Sequence, residues 1–231
     1  MSIQYLSGKV QGEMAKETIH LGDLDVSGQI IGVANEVQIP LLDEVIWDGI
    51  LGLAYPNANL RRQKIKPLFD TIIAQGLLKS KGEKNQFAYY LGPERGAISF
   101  GGADMRYKRS VEEEFVWAPI SEENYWTIAL YDVRIEDADT TASNPNRKNQ
   151  KKLCPNGCKA IIDTGTYLIY GPADVLQRYF HEMSLDSCER KKDLPNIIFE
   201  FRGEGLGKSI ELVVTPEDYV LQFKIDGQVN R

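Results

Sequence analysis

The sequence predicts a mostly β protein with two short helices. Short apolar segments of β character recur along the chain, and Gly, Pro, Asn and Asp residues separate them. Only two segments place apolar residues at helical spacing. A chain of 231 residues with this pattern is long enough for one large domain or two modest ones.

Six segments have the composition of strands. In chain order they cover residues 17–24, 29–34, 87–91, 97–100, 126–133 and 197–201. The third and fourth flank Gly92-Pro93-Glu94-Arg95-Gly96, which predicts a hairpin. The fifth alternates apolar and polar residues, as a strand with one buried face does.

Two helices are predicted. The first covers residues 67–78 and begins at Pro67, close to the first-turn position that tolerates proline. The second starts at Pro172. Their apolar stripes are Leu68, Ile72, Ile73 and Leu77 in the first helix, and Val175, Leu176, Tyr179 and Phe180 in the second.

Composition and charge exclude several classes of function. The 27 basic and 33 acidic residues give a net charge of −6, which argues against a nucleic-acid-binding protein and against a basic membrane-surface protein. No apolar run approaches the length of a membrane span, and no signal-like segment is visible at the N-terminus. We therefore expect no nucleic acid, no membrane span and no cofactor.

Three cysteines are present, and two of them are close in sequence. Cys154 and Cys158 flank Pro155-Asn156-Gly157, a tight-turn tripeptide that favours a small disulfide loop. Free thiols are the alternative, whereas a zinc site would need further ligands that the two histidines do not provide at a finger spacing. A disulfide predicts an oxidising compartment, and a precursor with a signal peptide.

The sharpest local pattern is an apolar strand, Ala160-Ile161-Ile162, that runs directly into Asp163-Thr164-Gly165. Asp, Thr and Gly are all common at strand ends, so an ordinary turn is the competing interpretation. The motif follows the Cys154–Cys158 loop and precedes a Gly171-Pro172 helix start. This surrounding pattern favours a functional carboxylate at Asp163.

These elements together resemble the pepsin-like aspartic proteases over essentially the whole chain. Residues 161–166 are similar to the second catalytic Asp-Thr-Gly strand of that family, and residues 47–53 to the first-lobe segment beside its first catalytic loop. Residues 2–8 resemble the start of the flap, the hairpin that covers the cleft. The resemblance implies a bilobal fold, with residues 1–103 in the first lobe and 104–231 in the second.

The resemblance also implies the roles of individual residues. Asp163 is the expected catalytic carboxylate, and Thr164 and Gly165 are expected to support its loop. The expected substrate-binding residues are Tyr5, Ser7, Gly8, Trp47, Ile50, Tyr125, Thr166 and Tyr167. Core packing is the alternative for Trp47 and Ile50, and strand packing is the alternative for Tyr125.

The chain departs from the family pattern in one decisive respect. It contains a single Asp-Thr/Ser-Gly sequence, whereas the chemistry needs two carboxylates that share a proton. We therefore expect a fragment that runs from the flap through most of the second lobe, and that is inactive alone. The missing N-terminal and C-terminal segments of the same precursor would be its partners. The polar residues 138–152 look like an insertion of the kind found in plasmepsins, and Cys188 is expected to pair beyond Arg231.

Three functions remain open. The first is an aspartic endopeptidase that acts on peptide or protein substrates in the secretory pathway or a vacuole-like compartment. The second is a catalytically inactive relative that binds peptides or acts as an interaction module. The third is a homodimer in which each chain contributes one Asp163.

Overall fold

The computed structural model describes residues 1–5, 8–39, 47–92, 94–110, 112–136, 151–180, 188–205, 207–221, 223–225 and 228–230. The chain divides into two compact units, Met1–Glu114 and Phe115–Arg231. The sequence-based boundary lies earlier, after residue 103. Each unit has its own sheets and its own apolar core.

The described part of the first unit contains a three-stranded antiparallel sheet, two α-helices and a separate hairpin. The sheet consists of β1 (Ser2–Tyr5), β2 (Gly8–Leu21) and β3 (Leu24–Gln38), paired in that order. The helices are α1 (Ala58–Gln63) and α2 (Leu68–Ala74). The hairpin pairs β4 (Phe87–Leu91) with β5 (Gly96–Phe100), as its sequence predicts.

The core of the first unit forms where α2 lies on the sheet. Leu68, Phe69 and Ile72 of α2 are buried against Leu24 and Val26 of β3. The apolar stripe at helical spacing explains this packing, because residues three and four positions apart share one face of a helix. Aromatic rings complete the core, with the Phe69 and Phe87 rings in edge contact at 4.9 Å.

The second unit is built around one long strand. In chain order its elements are β6 (Ile120–Glu123), β7 (Trp126–Glu136), β8 (Lys151–Lys152), β9 (Cys158–Ile161), α3 (Ala173–Phe180), β10 (Asn196–Arg202), β11 (Ser209–Val214), α4 (Pro216–Tyr219), β12 (Phe223–Ile225) and β13 (Gln228–Asn230). Strand β7 pairs with β6, β8, β9 and β10, and β10 pairs in turn with β11. Strands β12 and β13 form a hairpin of their own.

The mostly β fold class is confirmed, but three details of the prediction are wrong. The helix predicted over residues 67–78 ends at Ala74, and Ile73 of its predicted apolar stripe is 38% exposed because it lies on the face turned away from the core. The described residues contain four α-helices rather than two, because α1 and α4, of six and four residues, are too short to give an apolar stripe. The predicted strand over residues 17–24 is interrupted by a turn at Gly22-Asp23, between β2 and β3. Gly22 has a φ of 59°, a left-handed conformation that suits glycine, so the chain reverses there.

Candidate active site

The strand that leads to Asp163 is held in place by β7. Strand β9 pairs antiparallel with β7, from Cys158 opposite Leu130 to Ile161 opposite Thr127. The pairing continues one residue further, because the Ile162 N–H donates to the Trp126 carbonyl at 3.0 Å. Asp163 is therefore the first residue that leaves the sheet.

The Asp163 carboxylate is held by hydrogen bonds within the turn of residues 163–166. Its Oδ1 accepts the Gly165 N–H at 2.9 Å, and its Oδ2 accepts the Thr166 hydroxyl at 2.5 Å. The Thr166 N–H also donates to the Asp163 carbonyl at 3.2 Å, which closes a four-residue turn. Short polar side chains commonly bond to the backbone two residues ahead in this way. Both carboxylate oxygens are thereby oriented while the residue stays exposed.

Glycine at position 165 follows from the same contact. A Cβ atom built on Gly165 would lie 3.2 Å from Asp163 Oδ1, closer than an ordinary van der Waals contact. Any side chain would push against the carboxylate that the Gly165 N–H binds. Local contacts thus explain why position 163 carries a short acidic side chain and why position 165 is glycine.

The predicted disulfide is present, between Cys154 and Cys158 just before β9. The Gly157 N–H donates to the Cys154 carbonyl at 2.9 Å, and Gly157 has a φ of 76°. These features make a tight turn in which glycine adopts the left-handed conformation. The disulfide loop therefore leads directly into the strand that ends at Asp163.

The other predicted site residues of the second unit lie beside this strand or follow it. Thr166 was predicted to bind the substrate backbone, and its hydroxyl bonds to Asp163. Tyr167 is 76% exposed, and Tyr125, next to the start of β7, is 54% exposed. Neither tyrosine is buried in the core of its unit. Their contacts with a substrate remain predictions.

The remaining predicted site residues belong to the first unit. Tyr5 ends β1 and lies opposite Gly8, which begins β2, so both belong to the strand pair of the predicted flap. Ser7 lies outside the described residues. Trp47 and Ile50 are 46% and 59% exposed, and neither belongs to the buried core cluster of that unit. Their substrate roles also remain predictions.

Gly8 has a structural reason to be glycine that the sequence does not reveal. A Cβ atom built there would lie 1.9 Å from the Gln38 carbonyl oxygen, so no side chain fits. The close approach arises where the start of β2 pairs with the end of β3, with Lys9 opposite Gln38.

Two contacts near the candidate site were missed by sequence reasoning. The Trp126 carbonyl binds the backbone just before Asp163, and the buried carboxylate of Asp132 binds the Cys154 N–H at 3.2 Å. Neither has a signal in the sequence, because both depend on which strands become neighbours. Within the described residues, no group of three or more acidic, histidine or cysteine side chains is placed to hold a metal ion. None of the described helices is both long and apolar enough to cross a membrane.

Comparison with known proteins identifies the family of the chain. Residues 1–229 match the family model described as eukaryotic aspartyl protease. The chain belongs to this family. Plasmepsin VII of Plasmodium falciparum is 36% identical over 96% of this chain and 52% of its own length. Pepsin A-5 of Mus musculus is 32% identical over 86% of the chain and 49% of its own length.

A third relative has a name that states no peptidase activity. Pregnancy-associated glycoprotein 2 of Sus scrofa is 30% identical over 86% of the chain and 44% of its own length. The chain thus spans about half the length of the curated relatives it matches. The bilobal β fold is the fold of the aspartyl protease family.

Proposed function

We propose that this chain carries part of the active site of an aspartic endopeptidase, with Asp163 as one of two catalytic carboxylates. The observation that carries the proposal is the turn at residues 163–166. It fixes both oxygens of an exposed carboxylate at the end of a paired strand. Membership in the aspartyl protease family supports it.

The chemistry requires a second carboxylate close to the first. Two adjacent carboxylates cannot both ionise, so one keeps a proton while the other stays charged. The charged partner takes a proton from water, which attacks the scissile carbonyl, and the protonated partner donates to the carbonyl oxygen. The titration of such a pair belongs to both residues together.

No second Asp-Thr/Ser-Gly sequence in this chain provides the other catalytic carboxylate. Asp48 is followed directly by Gly49, and the chain holds only one Asp-Thr-Gly sequence. We assign the second carboxylate to another segment of the same precursor, because the matched relatives are about twice as long. That segment is the partner this proposal requires.

The first unit supplies the proposed covering hairpin and pocket walls. Tyr5, Ser7 and Gly8 belong to the hairpin that closes over the substrate and excludes water. Trp47 and Ile50 provide apolar surface for a hydrophobic side chain, and their exposure supports this role. Tyr125, Thr166 and Tyr167 contact the substrate from the second unit.

The proposed substrates are extended peptides or proteins that are cut beside hydrophobic residues. The disulfide loop fits an oxidising compartment. We therefore place the protein in the secretory pathway, as a secreted enzyme or in a lysosome-like or vacuole-like compartment.

A paired assay tests the proposal. The 231-residue chain and the product of the complete reading frame that contains it are incubated with a hydrophobic peptide, from about pH 3 to about pH 6.5. We expect the complete product to cleave the peptide and a pepstatin-type inhibitor to stop it. The chain alone should show no inhibitable cleavage.

Two other outcomes have defined meanings. No cleavage by a folded complete product would favour an inactive peptide-binding relative, as would a reading frame without a second Asp-Thr/Ser-Gly sequence. Inhibitable cleavage by the chain alone, rising with the square of its concentration, would favour a homodimer that contributes two copies of Asp163.

A further inference from the structure

A break in strand pairing lies directly before the strand that ends at Asp163. On one side of the break, β8 pairs with β7 so that Lys152 faces Arg134. On the other side, β9 pairs with β7 so that Cys158 faces Leu130. Cys154 to Cys158 spans four residue steps, whereas the facing segment from Asp132 to Leu130 spans two. We call this segment pair the register break.

The other neighbour of β7 is irregular at the same place. Glu200 of β10 faces Asp132 and Phe201 faces Leu130, so Tyr131 is an extra residue in β7. Such bulges leave backbone groups without a partner in the ladder. Both edges of β7 thus lose regular pairing beside Asp132.

The Asp132 side chain binds the backbone at this point. The residue is 3% exposed, and its Oδ1 accepts the Val133 N–H at 2.8 Å and the Cys154 N–H at 3.2 Å. Its Oδ2 lies 3.2 Å from Lys152 Nζ, without the geometry of a hydrogen bond. The contact with Lys152 is therefore between charges, and the contact with Cys154 is the directional one.

The register of β8, continued through the loop, would give β9 a different alignment on β7 from the one in this structure. If the loop straightened and β9 followed the register of β8, Lys159 would face Thr127 instead of Ala129, which it faces in this structure. A shift of two residues keeps every side chain on the same face, so the apolar pattern does not oppose it. The shift would move Asp163 by about 7 Å along β7.

Two features oppose this shift. The disulfide prevents the loop from straightening, because Cys154 and Cys158 keep a Cα–Cα distance of 5.9 Å. Asp132 opposes the shift by keeping the chain bent at Cys154. Residues 154 and 132 face each other in both registers, but because the Leu153 N–H donates to the Val133 carbonyl, the Cys154 N–H of a straight strand would point away from β7. Its bond to Asp132 Oδ1 therefore requires the bend, and this bond does not depend on the oxidation state of the cysteines.

We propose that Asp132 is a positioning residue, which fixes the register of β9 by binding the Cys154 N–H and so places Asp163 even when the disulfide is open. The functional meaning of this placement rests on the proposed role of Asp163. The effect of Asp132 on the register of β9 depends only on contacts among β7, the loop and β9.

Nuclear magnetic resonance of the full chain tests the claim in a Cys154→Ser, Cys158→Ser background. With Asp132 present, we expect the cross-strand contact between residues 129 and 159 alone. With Asp132→Ala added, a second set of signals should show contact between residues 127 and 159. Asp132→Asn should restore the single register, because its carbonyl oxygen still accepts the Cys154 N–H.

Glu122→Ala in the same background is the matched control. Glu122 forms an ion pair with Lys159 of β9 itself but has no bond to the loop backbone in the described contacts. We expect this variant to keep the single register. A single register in the Asp132→Ala variant would overturn the proposal, as would failure of Asp132→Asn to restore it.

A second measurement applies if the variant without cysteines does not fold. With the disulfide intact, Asp132→Ala should speed hydrogen exchange of the residue-154 amide at least 10-fold, and Asp132→Asn should not. Equal exchange rates in the wild type and Asp132→Ala would overturn the proposal. Neither readout depends on turnover, so an inactive enzyme with an intact register would count against the proposed function alone.

Discussion

The two units place their charged residues differently. In the described part of the first unit, Lys81 and Asp23 form an ion pair whose two side chains both reach water. The described buried residues of that unit are apolar except for the uncharged Gln29. In the second unit, Arg134 is only 12% exposed and contacts carboxylates from three strands. The unit that carries Asp163 thus buries charged side chains, Asp132 and most of Arg134, as well as its apolar core.

This difference follows from the two architectures. A helix on a sheet buries a continuous apolar stripe, so the first unit needs no charge inside. In the second unit β7 has neighbours on both edges and an irregular ladder, which leaves polar groups at its centre to be bound. We expect the two units to respond differently to loss of apolar groups and loss of charged groups.

The largest expected effect is in the first unit. Ile72 is fully buried in its core, so Ile72→Ala should lower the free energy of unfolding by about 2–5 kcal/mol through lost burial and a residual cavity. Urea denaturation, with hydrogen exchange of amides in each unit as the probe, measures this free energy of unfolding. The control is Ile73→Ala, because the neighbouring Ile73 is 38% exposed. This substitution should change the free energy of unfolding by less than about 1 kcal/mol.

The next effect is in the second unit. Burial lowers the pKa of Arg134, but hydrogen bonds to Glu211 and Glu136 outweigh this and raise it above the ordinary value. Removing one partner of a buried ion pair costs about 3–5 kcal/mol. Because Glu200 and Glu211 reach water, we expect about 1–3 kcal/mol for Arg134→Met.

Arg190→Met is the control for this prediction. Arg190 forms an ion pair with Asp193 in which both side chains are substantially exposed. Arg190→Met should change the free energy of unfolding by no more than about 0.5 kcal/mol. Equal effects of the two arginine substitutions would contradict the contrast between buried and exposed charge.

Tyr219 gives a smaller effect that depends on pH. Its hydroxyl donates to the Pro195 carbonyl at 2.7 Å, so Tyr219→Phe should cost about 1 kcal/mol at neutral pH. Burial raises the pKa of Tyr219 from 10.0 to about 12. The unfolded chain therefore loses this proton first, and stability should fall as pH rises from 10 towards 12.

Denaturation of the wild type and Tyr219→Phe between pH 8 and about pH 11.5 measures this effect. The difference between the two proteins should shrink or reverse at the alkaline end. A constant difference across the range would mean that Tyr219 does not cause the alkaline loss.

The smallest effect is expected at the surface of the first unit. A hydrogen bond from Lys81 holds the pKa of Asp23 below its usual value, yet both side chains reach water. We expect no measurable difference between the denaturation midpoints of Lys81→Met and the wild type at neutral pH. A large loss would show that exposed charge also stabilises this unit.

Much of the local structure could be predicted from the sequence. Three features follow from short-range patterns: the hairpin at residues 87–100, the disulfide between Cys154 and Cys158, and a strand that leads into Asp163. Turn residues and alternation act within a few positions, so one sequence is enough to find them.

The remaining features depend on distant parts of the chain. Arg134 meets Glu200 and Glu211 only because β7, β10 and β11 become neighbours. Asp132 meets Cys154 only at the register break. The bond from the Thr166 hydroxyl to Asp163 was also missed, because the family resemblance assigns Thr166 to the substrate.

The central claim is that Asp163 is a catalytic carboxylate. The most direct test is peptide turnover by the product of the complete reading frame, compared with its Asp163→Asn form. Asparagine keeps the shape and the oxygen acceptor but cannot carry the charge, so kcat should fall by about 10³-fold or more with the fold unchanged. Asp174→Asn, at an exposed site in the first turn of α3, should keep wild-type turnover. An Asp163→Asn enzyme that retains a tenth of wild-type turnover would contradict the account.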